Sequence, residues 1–379
     1  MRAVIHLILS GVFLIPFLFF SCKKENENLP VFQIPETYDG SGFDAHTGEE
    51  AAVLLKLKTL TDTIKSGRVA GKRLSYETLA GLFNNGNASL ASVNTDYYQA
   101  LIGGPGGWLS MAAQASGNLY SPGEPGPEDK GGVYGGYLFN QYGLEPEQMI
   151  EKGMFGSVLF RYANALLRAD LNQTTSDMVL AITGSNPGFP NTSNAAKATR
   201  PDAFFAVYIA RRDKNDGSGF YTELKKNYIK LQASLKHNPV MKKEASEASD
   251  AILLNLEKVN AATIINYCHL VVSLLSKTNP TESDKANALH ALSEAIGFLH
   301  GYRLLNPGFS RITTEQIDRN LERMNAPVQG QAACYRFVTQ PETELVKLQQ
   351  VISELKSIYG FSDQQIEDFR KNWITEQGR

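Results

Sequence analysis

The residues best placed to do chemistry are His290 and Glu294, in the segment 287–303, which reads NALHALSEAIGFLHGYR. On a helix, residues four apart share a face and can touch. An imidazole beside a carboxylate can bind a metal, or act as a base with its orienting partner. One histidine and one glutamate are too few for a metal site, so other helices would have to supply the remaining ligands. The alternative is a His–Glu hydrogen bond that is satisfied inside a helical bundle.

Two glycines, Gly297 and Gly301, continue the stripe that begins with His290 and Glu294. Each glycine in a helix interior costs about 1 kcal/mol relative to alanine. The close approach of another helix, or of a ligand, would offset that cost. The stripe therefore predicts a gap beside the histidine and the carboxylate.

The segment that begins at Glu294 resembles an earlier one that begins at Asp202. The acid, alanine and bulky apolar residues that begin at Asp202 align with those that begin at Glu294, and Arg211 and Arg303 follow nine residues later in each case. Two bundles related by duplication would bring these helices into comparable places. Asp202 is therefore another candidate contact.

Aromatic residues are interleaved with glycine in the stretch 103–146, where Gly131-Gly132 and Gly135-Gly136 flank Tyr134 and Tyr137. Repeated glycines and prolines predict that this stretch is mostly loop. No strand is predicted before these glycines and no GxxxxGK[ST] pattern occurs, which argues against a phosphate cradle. Long loops are commonly functional or disordered. The two tyrosines are candidate contacts of an adaptable binding surface.

Composition and signatures narrow the function classes. The chain has 379 residues, with 37 Lys and Arg against 39 Asp and Glu, for a net charge of −2. Without a strongly basic balance, nucleic acid is not an expected partner. Neither a GxSxG nor a HExxH signature of hydrolases is present, so the sequence favours a non-enzymatic function over an enzymatic one.

The first 22 residues predict the compartment. Arg2 is the only formal charge before Lys23, and residues 4–20 are nearly all apolar. A charged start, an apolar core and a small residue are typical of a secretory signal. Ser21 followed by Cys22 resembles a bacterial lipobox, so we expect Cys22 to carry acyl chains that anchor the body to a membrane. The alternative is an ordinary signal peptide with a chance cysteine.

Two cysteines remain in the body, Cys268 and Cys334. A periplasm or cell surface would allow a disulfide between them, and the sequence leaves that pairing open. No CxxC pair occurs, which excludes zinc-ribbon and thioredoxin-like sites.

Helical periodicity dominates the body. Residues 261–275 are apolar nearly all round, which predicts a central, buried helix. No run of alternating strands is found, so we predict an all-α fold of two pseudo-repeated antiparallel bundles with long Gly/Pro-rich loops. The predicted helices cover residues 49–64, 75–83, 89–100, 146–171, 220–235, 244–259, 261–275, 283–304, 316–324 and 342–358, with further helices beginning at Pro201 and after Ser362.

The predicted organisation has four parts. Residues 1–21 are a lipoprotein signal peptide, and residues 22–45 are a tether and N-terminal segment. Residues 46–212 form a first helical bundle that contains the loop 103–146, and residues 213–379 form a second.

Short stretches in a fixed order carry a family resemblance: PVFQIPETY at 30–38, EKGMFG at 151–156, HALSEAIGF at 290–298 and IYGFS at 358–362. They resemble a family of uncharacterised lipoproteins of Bacteroidetes, a domain of unknown function, over most of residues 30–373. That family is distantly similar to imelysin-like proteins, which are helical periplasmic or surface proteins of two bundles linked with iron uptake. The imelysin motif Gly-x-His-x-x-Glu is not met, because His290 and Glu294 are four apart.

The resemblance supports a helical fold and a location in the cell envelope. Our first hypothesis is a lipid-anchored, non-enzymatic binding protein at the outer membrane, on its periplasmic or surface face. It would serve the uptake of iron, haem or another nutrient, or dock to a membrane receptor or transporter. The candidate contacts are His290, Glu294, Asp202, Tyr134 and Tyr137. One alternative is an imelysin-type metal-dependent peptidase, with His290 as ligand and Glu294 as ligand or base. Another is a structural envelope protein.

Overall fold

The helical periodicity of the sequence is realised over almost the whole body. A computed structural model of the chain describes residues 31–191, 198–303 and 310–379. The signal peptide and the lipidation residue Cys22 lie outside these ranges. The described helices are α1 (Phe43–His46), α2 (Gly48–Lys65), α3 (Tyr76–Asn84), α4 (Asp96–Gly103), α5 (Trp108–Ala115), α6 (Pro146–Met154), α7 (Arg161–Arg168), α8 (Thr175–Ile182), α9 (Phe205–Arg211), α10 (Phe220–Lys236), α11 (Lys242–Leu275), α12 (Glu282–Tyr302), α13 (Thr314–Arg323), α14 (Arg336–Thr339), α15 (Pro341–Tyr359), α16 (Asp363–Asp368) and α17 (Trp373–Gln377). A 3₁₀ turn (Ser66–Arg68) follows α2, and a π-helical segment (Phe155–Phe160) joins α6 to α7.

Local capping signals place several of the helix ends. The Ser75 side chain accepts a backbone hydrogen bond at the start of α3, as predicted. Thr281 and Asp284 form a capping box at the start of α12, so the helix begins one residue before the predicted start at residue 283. Gly360 ends α15 in the left-handed conformation, at φ 66°, which glycine adopts without strain.

The long helix α11 is the central buried helix that the sequence predicts. Residues such as Ala261, Ile264 and Cys268 are fully buried. Among the described helices, α11 alone is long and apolar enough to cross a membrane by length and composition, but 67% of its most apolar window is buried inside the fold, as expected of a core helix. The predicted break between residues 259 and 261 is wrong. Asn260 is buried within the helix and donates to the Phe298 carbonyl oxygen of α12 at 3.4 Å.

The stretch 103–146 contains more structure than its glycines suggest. Besides α5, it forms a two-stranded antiparallel hairpin, β1 (Gly132–Tyr134) and β2 (Tyr137–Phe139), in which Tyr134 pairs with Tyr137. The turn is made by two consecutive glycines, both with positive φ, which is the requirement of a tight hairpin turn. The glycines therefore shape one hairpin that fixes the two tyrosines.

Helix α9 begins at Phe205, not at Pro201. The Asp202 carboxylate accepts hydrogen bonds from the Asn186 backbone N–H at 2.7 Å and from the Tyr221 hydroxyl at 2.6 Å. These two bonds hold the segment before α9 in a non-helical conformation. Likewise, the helix predicted over 89–100 is replaced by turns and by the later helix α4.

The all-α fold class is confirmed for the described residues, with the short hairpin as an exception. Residues 33–379 group into one compact unit, and one continuous apolar core includes residues from both predicted bundles, such as Leu57, Ile150 and Leu348. The division into bundles 46–212 and 213–379, and their pseudo-repeat, remain predictions. Cys268 and Cys334 are both buried and free, so the disulfide that the sequence left open is not formed.

Candidate functional site

The candidate site lies where α12 packs against α6 and the π-helical segment. Glycine makes this packing close: a Cβ atom at Gly297 would lie 2.7 Å from the Gln148 carbonyl oxygen, and one at Gly301 would lie 2.6 Å from the Gly153 carbonyl oxygen. From the opposite side, a Cβ atom at Gly156 would lie 2.3 Å from the Gly301 carbonyl carbon. The close approach of a second helix therefore offsets the helical cost of the two glycines in α12.

His290 lies between two carboxylates and an aromatic ring. Its Nδ1 atom is 2.6 Å from Glu145 Oε2, and its Nε2 atom is 3.6 Å from Glu294 Oε2. The Tyr137 ring stacks on the imidazole, with centroids 4.2 Å apart and the planes 15° from parallel. Burial alone would lower the pKa of His290, but the hydrogen bond and charge of Glu145 and the charge of Glu294 outweigh burial and raise it. His290 thus holds a proton more readily than a free histidine.

Arg68 pairs with the deepest carboxylates of the site. Its Nε atom donates to Glu145 Oε1 at 2.9 Å, and its Nη2 atom donates to Glu147 Oε2 at 2.8 Å. Both carboxylate side chains are almost fully buried, and Lys65 Nζ lies 3.4 Å from Glu147 Oε1. Burial raises the pKa of Glu147, and the negative charges of Glu151 and Glu145 raise it further. One arginine from the 3₁₀ turn thereby ties α2 to the beginning of α6.

Lys152 is a second buried cation, on the face of α6 that meets α12. Its ammonium contacts Glu151, lies 3.5 Å from Glu294 Oε1, and faces the Tyr208 ring at 5.2 Å from the centroid. The Tyr208 hydroxyl also donates to Glu294 Oε1, at 3.4 Å. Burial alone would lower the pKa of Lys152, but the negative charges of Glu151 and Glu294 hold it well above its usual value. Lys152 is therefore charged at neutral pH.

These side chains form one group, which we call the ion cluster. It contains four carboxylates, three permanent cations and one histidine, so its acidic groups equal in number the groups that can carry a positive charge. Buried charges are tolerated when they are paired and hydrogen-bonded. The ion cluster therefore acts as an internally neutralised brace between the 3₁₀ turn, α6 and α12. Its members are Lys65, Arg68, Glu145, Glu147, Glu151, Lys152, His290 and Glu294.

The ion cluster does not have the geometry of a metal centre. The carboxylates of Glu145 and Glu294 lie at opposite nitrogens of the His290 ring, so no single point lies within ligand distance of one ring nitrogen and both carboxylates. The other oxygen of Glu145 is already bound by Arg68. In the described ranges, no group of three or more His, Cys, Asp or Glu side chains is arranged to hold a metal ion. The pair proposed from the sequence as metal ligands, His290 and Glu294, thus gains no third ligand there.

The structure brings together three of the five candidate contacts, His290, Glu294 and Tyr137, and places Tyr134 and Asp202 elsewhere. The Tyr134 hydroxyl donates to Glu282 Oε2 at 2.7 Å, in the first turn of α12. The Asp202 carboxylate is used in the loop before α9, as described above. Asp202 and Glu294 therefore have different surroundings.

Sequence reasoning missed Glu145, Lys152 and Arg68. The first two belong to the charged stretch at the start of α6, which reads EPEQMIEK over 145–152. A charge run of this kind is usually a solvated helix face, and nothing local distinguishes the buried acids from exposed ones. Arg68 is 77 residues from its partner Glu145, so no spacing rule could have joined them.

No family model matches this chain, and neither a curated protein nor a solved structure matches it. The resemblance to Bacteroidetes lipoproteins and to imelysin-like proteins therefore stays a prediction from short motifs.

Proposed function

We propose that this protein is a non-enzymatic binding protein of the bacterial cell envelope, held at a membrane by lipid on Cys22. The observation that carries the non-enzymatic part is the closure of the ion cluster. Both nitrogens of His290 face carboxylates, and Glu294 is shared by Lys152 and Tyr208. A general base must reach the proton it removes from a substrate. These groups instead reach one another.

The binding part is supported by the concave surface of the described chain. Several open cavities have volumes of about 230 to 430 Å³, and the larger of them reach the lower end of the range for small-molecule sites. A binding protein needs such a cavity, whereas a purely structural protein does not.

The anchoring part rests on Ser21-Cys22 at the end of the apolar N-terminal stretch. We expect the protein expressed in its native host to incorporate labelled palmitate and to sediment with membranes. A Cys22→Ala variant should lose both properties. Palmitate incorporation that is unchanged by the substitution would refute lipidation at Cys22, and a parent protein that takes up no label would refute the lipobox interpretation.

Iron or haem as cargo, and an outer-membrane receptor or transporter as partner, remain proposals that rest on the family resemblance. Metal and haem analysis of protein purified from the native host tests the cargo, with His290→Ala as the companion variant. We expect His290→Ala to reduce stability without changing the metal content, because Nδ1 is hydrogen-bonded to Glu145 and Nε2 faces Glu294 at 3.6 Å. Bound iron that disappears in the variant would contradict the brace interpretation and restore the metal site.

A further inference from the structure

A second concave site lies on the far side of Tyr208 from the ion cluster, between the end of α9, the middle of α11 and the segment that joins α16 to α17. Its volume is about 350 Å³. Its walls contain three arginines, a histidine, two tyrosines, two asparagines and two hydroxyl residues, but no aspartate or glutamate. The cavity is therefore lined by positive charge and hydrogen-bond donors.

Arg212, in this wall, is a buried guanidinium with no counterion. The residue is 6% exposed, and no carboxylate of the described ranges lies within 4.0 Å of its nitrogen atoms. Its Nη1 atom donates to the Phe369 carbonyl oxygen at 3.1 Å, while its buried Nε–H has no hydrogen-bond partner among the residues that the structure describes. Burial and the neighbouring charge of Arg211 lower the pKa of Arg212 to about 10, so it stays charged at neutral pH.

Charged residues so deeply buried are almost always paired within the fold. The ion cluster follows that rule, since each of its cations has a carboxylate within 4.0 Å. Arg212 does not follow it, and it also lines a neighbouring cavity whose acids do not reach it. A second cation, Arg211, faces the Tyr208 ring at 4.9 Å from the centroid, and no carboxylate of the described ranges lies within 4.0 Å of its nitrogen atoms.

Two further basic residues line the cavity, and of these Arg370 adds to the positive charge. Arg370 lines the cavity and pairs with Glu367, which is outside the wall. His269 is buried, with no hydrogen bond of good geometry at either ring nitrogen. Burial and the nearby charge of Arg370 lower the pKa of His269 to about 4, against a smaller opposing effect of Glu367. Glu294 lies behind Tyr208 and is committed to the ion cluster.

We propose that this cavity binds a small anion that bears a phosphate or carboxylate group, with Arg212 as the principal contact and Arg211 and Arg370 at its entrance. The planar fork of a guanidinium matches both groups in geometry. Asn266 and Asn372 in the wall can hydrogen-bond the polar remainder of such a molecule. The proposal names a ligand class for the binding function proposed above, and it rests on that function for its biological role.

The test is calorimetric titration of the purified full-length protein, in detergent and low-salt zwitterionic buffer, with inorganic phosphate and separately with citrate. We expect saturable one-site binding of at least one probe, and none of chloride at matched ionic strength. Arg212→Met should weaken binding at least about tenfold, since hydrogen bonds to charged groups carry this order of energy. Arg73→Met removes the same charge from an exposed position outside the cavity and should leave binding unchanged.

Arg212→Met also separates a ligand contact from a structural one. A buried charge without a counterion has an uncompensated desolvation cost, which an apolar side chain of similar length does not have, and the Phe369 carbonyl keeps its hydrogen bond from Asn266. We therefore expect an unfolding midpoint in anion-free buffer at or above that of the parent. If the variant does not fold, Arg211→Met and Arg370→Gln carry the binding test.

Each outcome decides something. Binding of phosphate alone assigns a phosphate-bearing ligand, and binding of citrate alone assigns a carboxylate-bearing one. Failure of both probes to bind at concentrations up to about 10 mM, or unchanged binding by the cavity variants, overturns the proposal. Because the titration does not depend on Cys22, anion binding without palmitate incorporation would refute the anchoring and keep the cavity. Palmitate incorporation without anion binding would support the anchoring and overturn the anion-binding proposal.

Discussion

Gly297→Ala is expected to destabilise the fold, although the same change in most helices stabilises it. An alanine gains about 1 kcal/mol over glycine in a helix interior. At Gly297, however, the new Cβ atom would lie 2.7 Å from the Gln148 carbonyl oxygen and 3.0 Å from Lys152 Cβ, whereas ordinary contact begins at 3.4 Å. The backbones of α6 and α12 must therefore separate by about 0.7 Å. Overpacking of this kind costs about 1–3 kcal/mol, and the separation also stretches the contact between Lys152 and Glu294.

Taken together, these terms predict a net loss of about 1 kcal/mol in the free energy of unfolding. The assay is urea denaturation followed by circular dichroism. Gly81→Ala in α3 is the matched control, because its Cβ atom would meet only the flexible Asn85 side chain, at 3.4 Å. The control should raise the midpoint. If Gly297→Ala raises the midpoint as much as the control does, the close approach of the two helices does not depend on the glycine, and our explanation of the stripe fails.

Three further predictions concern the charges and thiols of the body. Because the folded-state pKa of His290 lies above the ordinary value of 6.5, protonated His290 stabilises the fold below pH 6.5, and this contribution is lost as the pH rises through the folded pKa. The urea midpoint of His290→Gln should therefore fall less over that pH range than the midpoint of the parent. A variant with the same pH dependence as the parent would contradict the assignment. Lys152→Met should lower the free energy of unfolding by about 3–5 kcal/mol, the usual loss when one partner of a buried ion pair is removed. Adding Glu294→Gln to this variant should recover part of the loss. A double variant no more stable than Lys152→Met would argue against the pairing. Since Cys268 and Cys334 are free, reductant should leave the thermal unfolding midpoint unchanged, and a midpoint that falls on reduction would reveal a disulfide.

The parts of the fold that the sequence predicts are those with local causes. A side-chain cap at Ser75, a proline in the first turn of α15 and a left-handed glycine at its end act over a few residues. The apolar stripes likewise identify α2, α10 and α15 to within about two residues, the usual uncertainty of helix ends. The predictions fail where a distant residue decides the outcome. Asn260 reads as a break but is buried against α12, and Asp202 reads as helical but is bound by Tyr221.

The candidate site likewise has a part that the sequence predicts and a part that it does not. His290 and Glu294 could be paired from their spacing. The stacking of Tyr137 on His290 was not predicted, and it places the glycine-rich stretch beside this pair. The partners that determine the chemistry come from elsewhere in the chain, with Glu145 separated from His290 by 145 positions. A histidine and a carboxylate at helical spacing look the same in sequence whether they bind a metal ion or are paired with other charged side chains of the protein. Only the arrangement of Arg68 and Lys152 around them separates the two cases.

Arg212 and Lys152 together suggest a general way to separate bracing charges from binding charges in a helical protein. Both are almost fully buried cations, and both lie beside Tyr208. Lys152 has its carboxylates inside the chain, so its desolvation is offset when the protein folds. Arg212 has only a carbonyl oxygen, so part of its desolvation remains uncompensated until an anion from solution enters the cavity. In the absence of an anion, this desolvation cost lowers the stability of the fold, so removing the arginine should raise it. The stability of Arg212→Met in anion-free buffer is therefore as informative as its affinity for the anion.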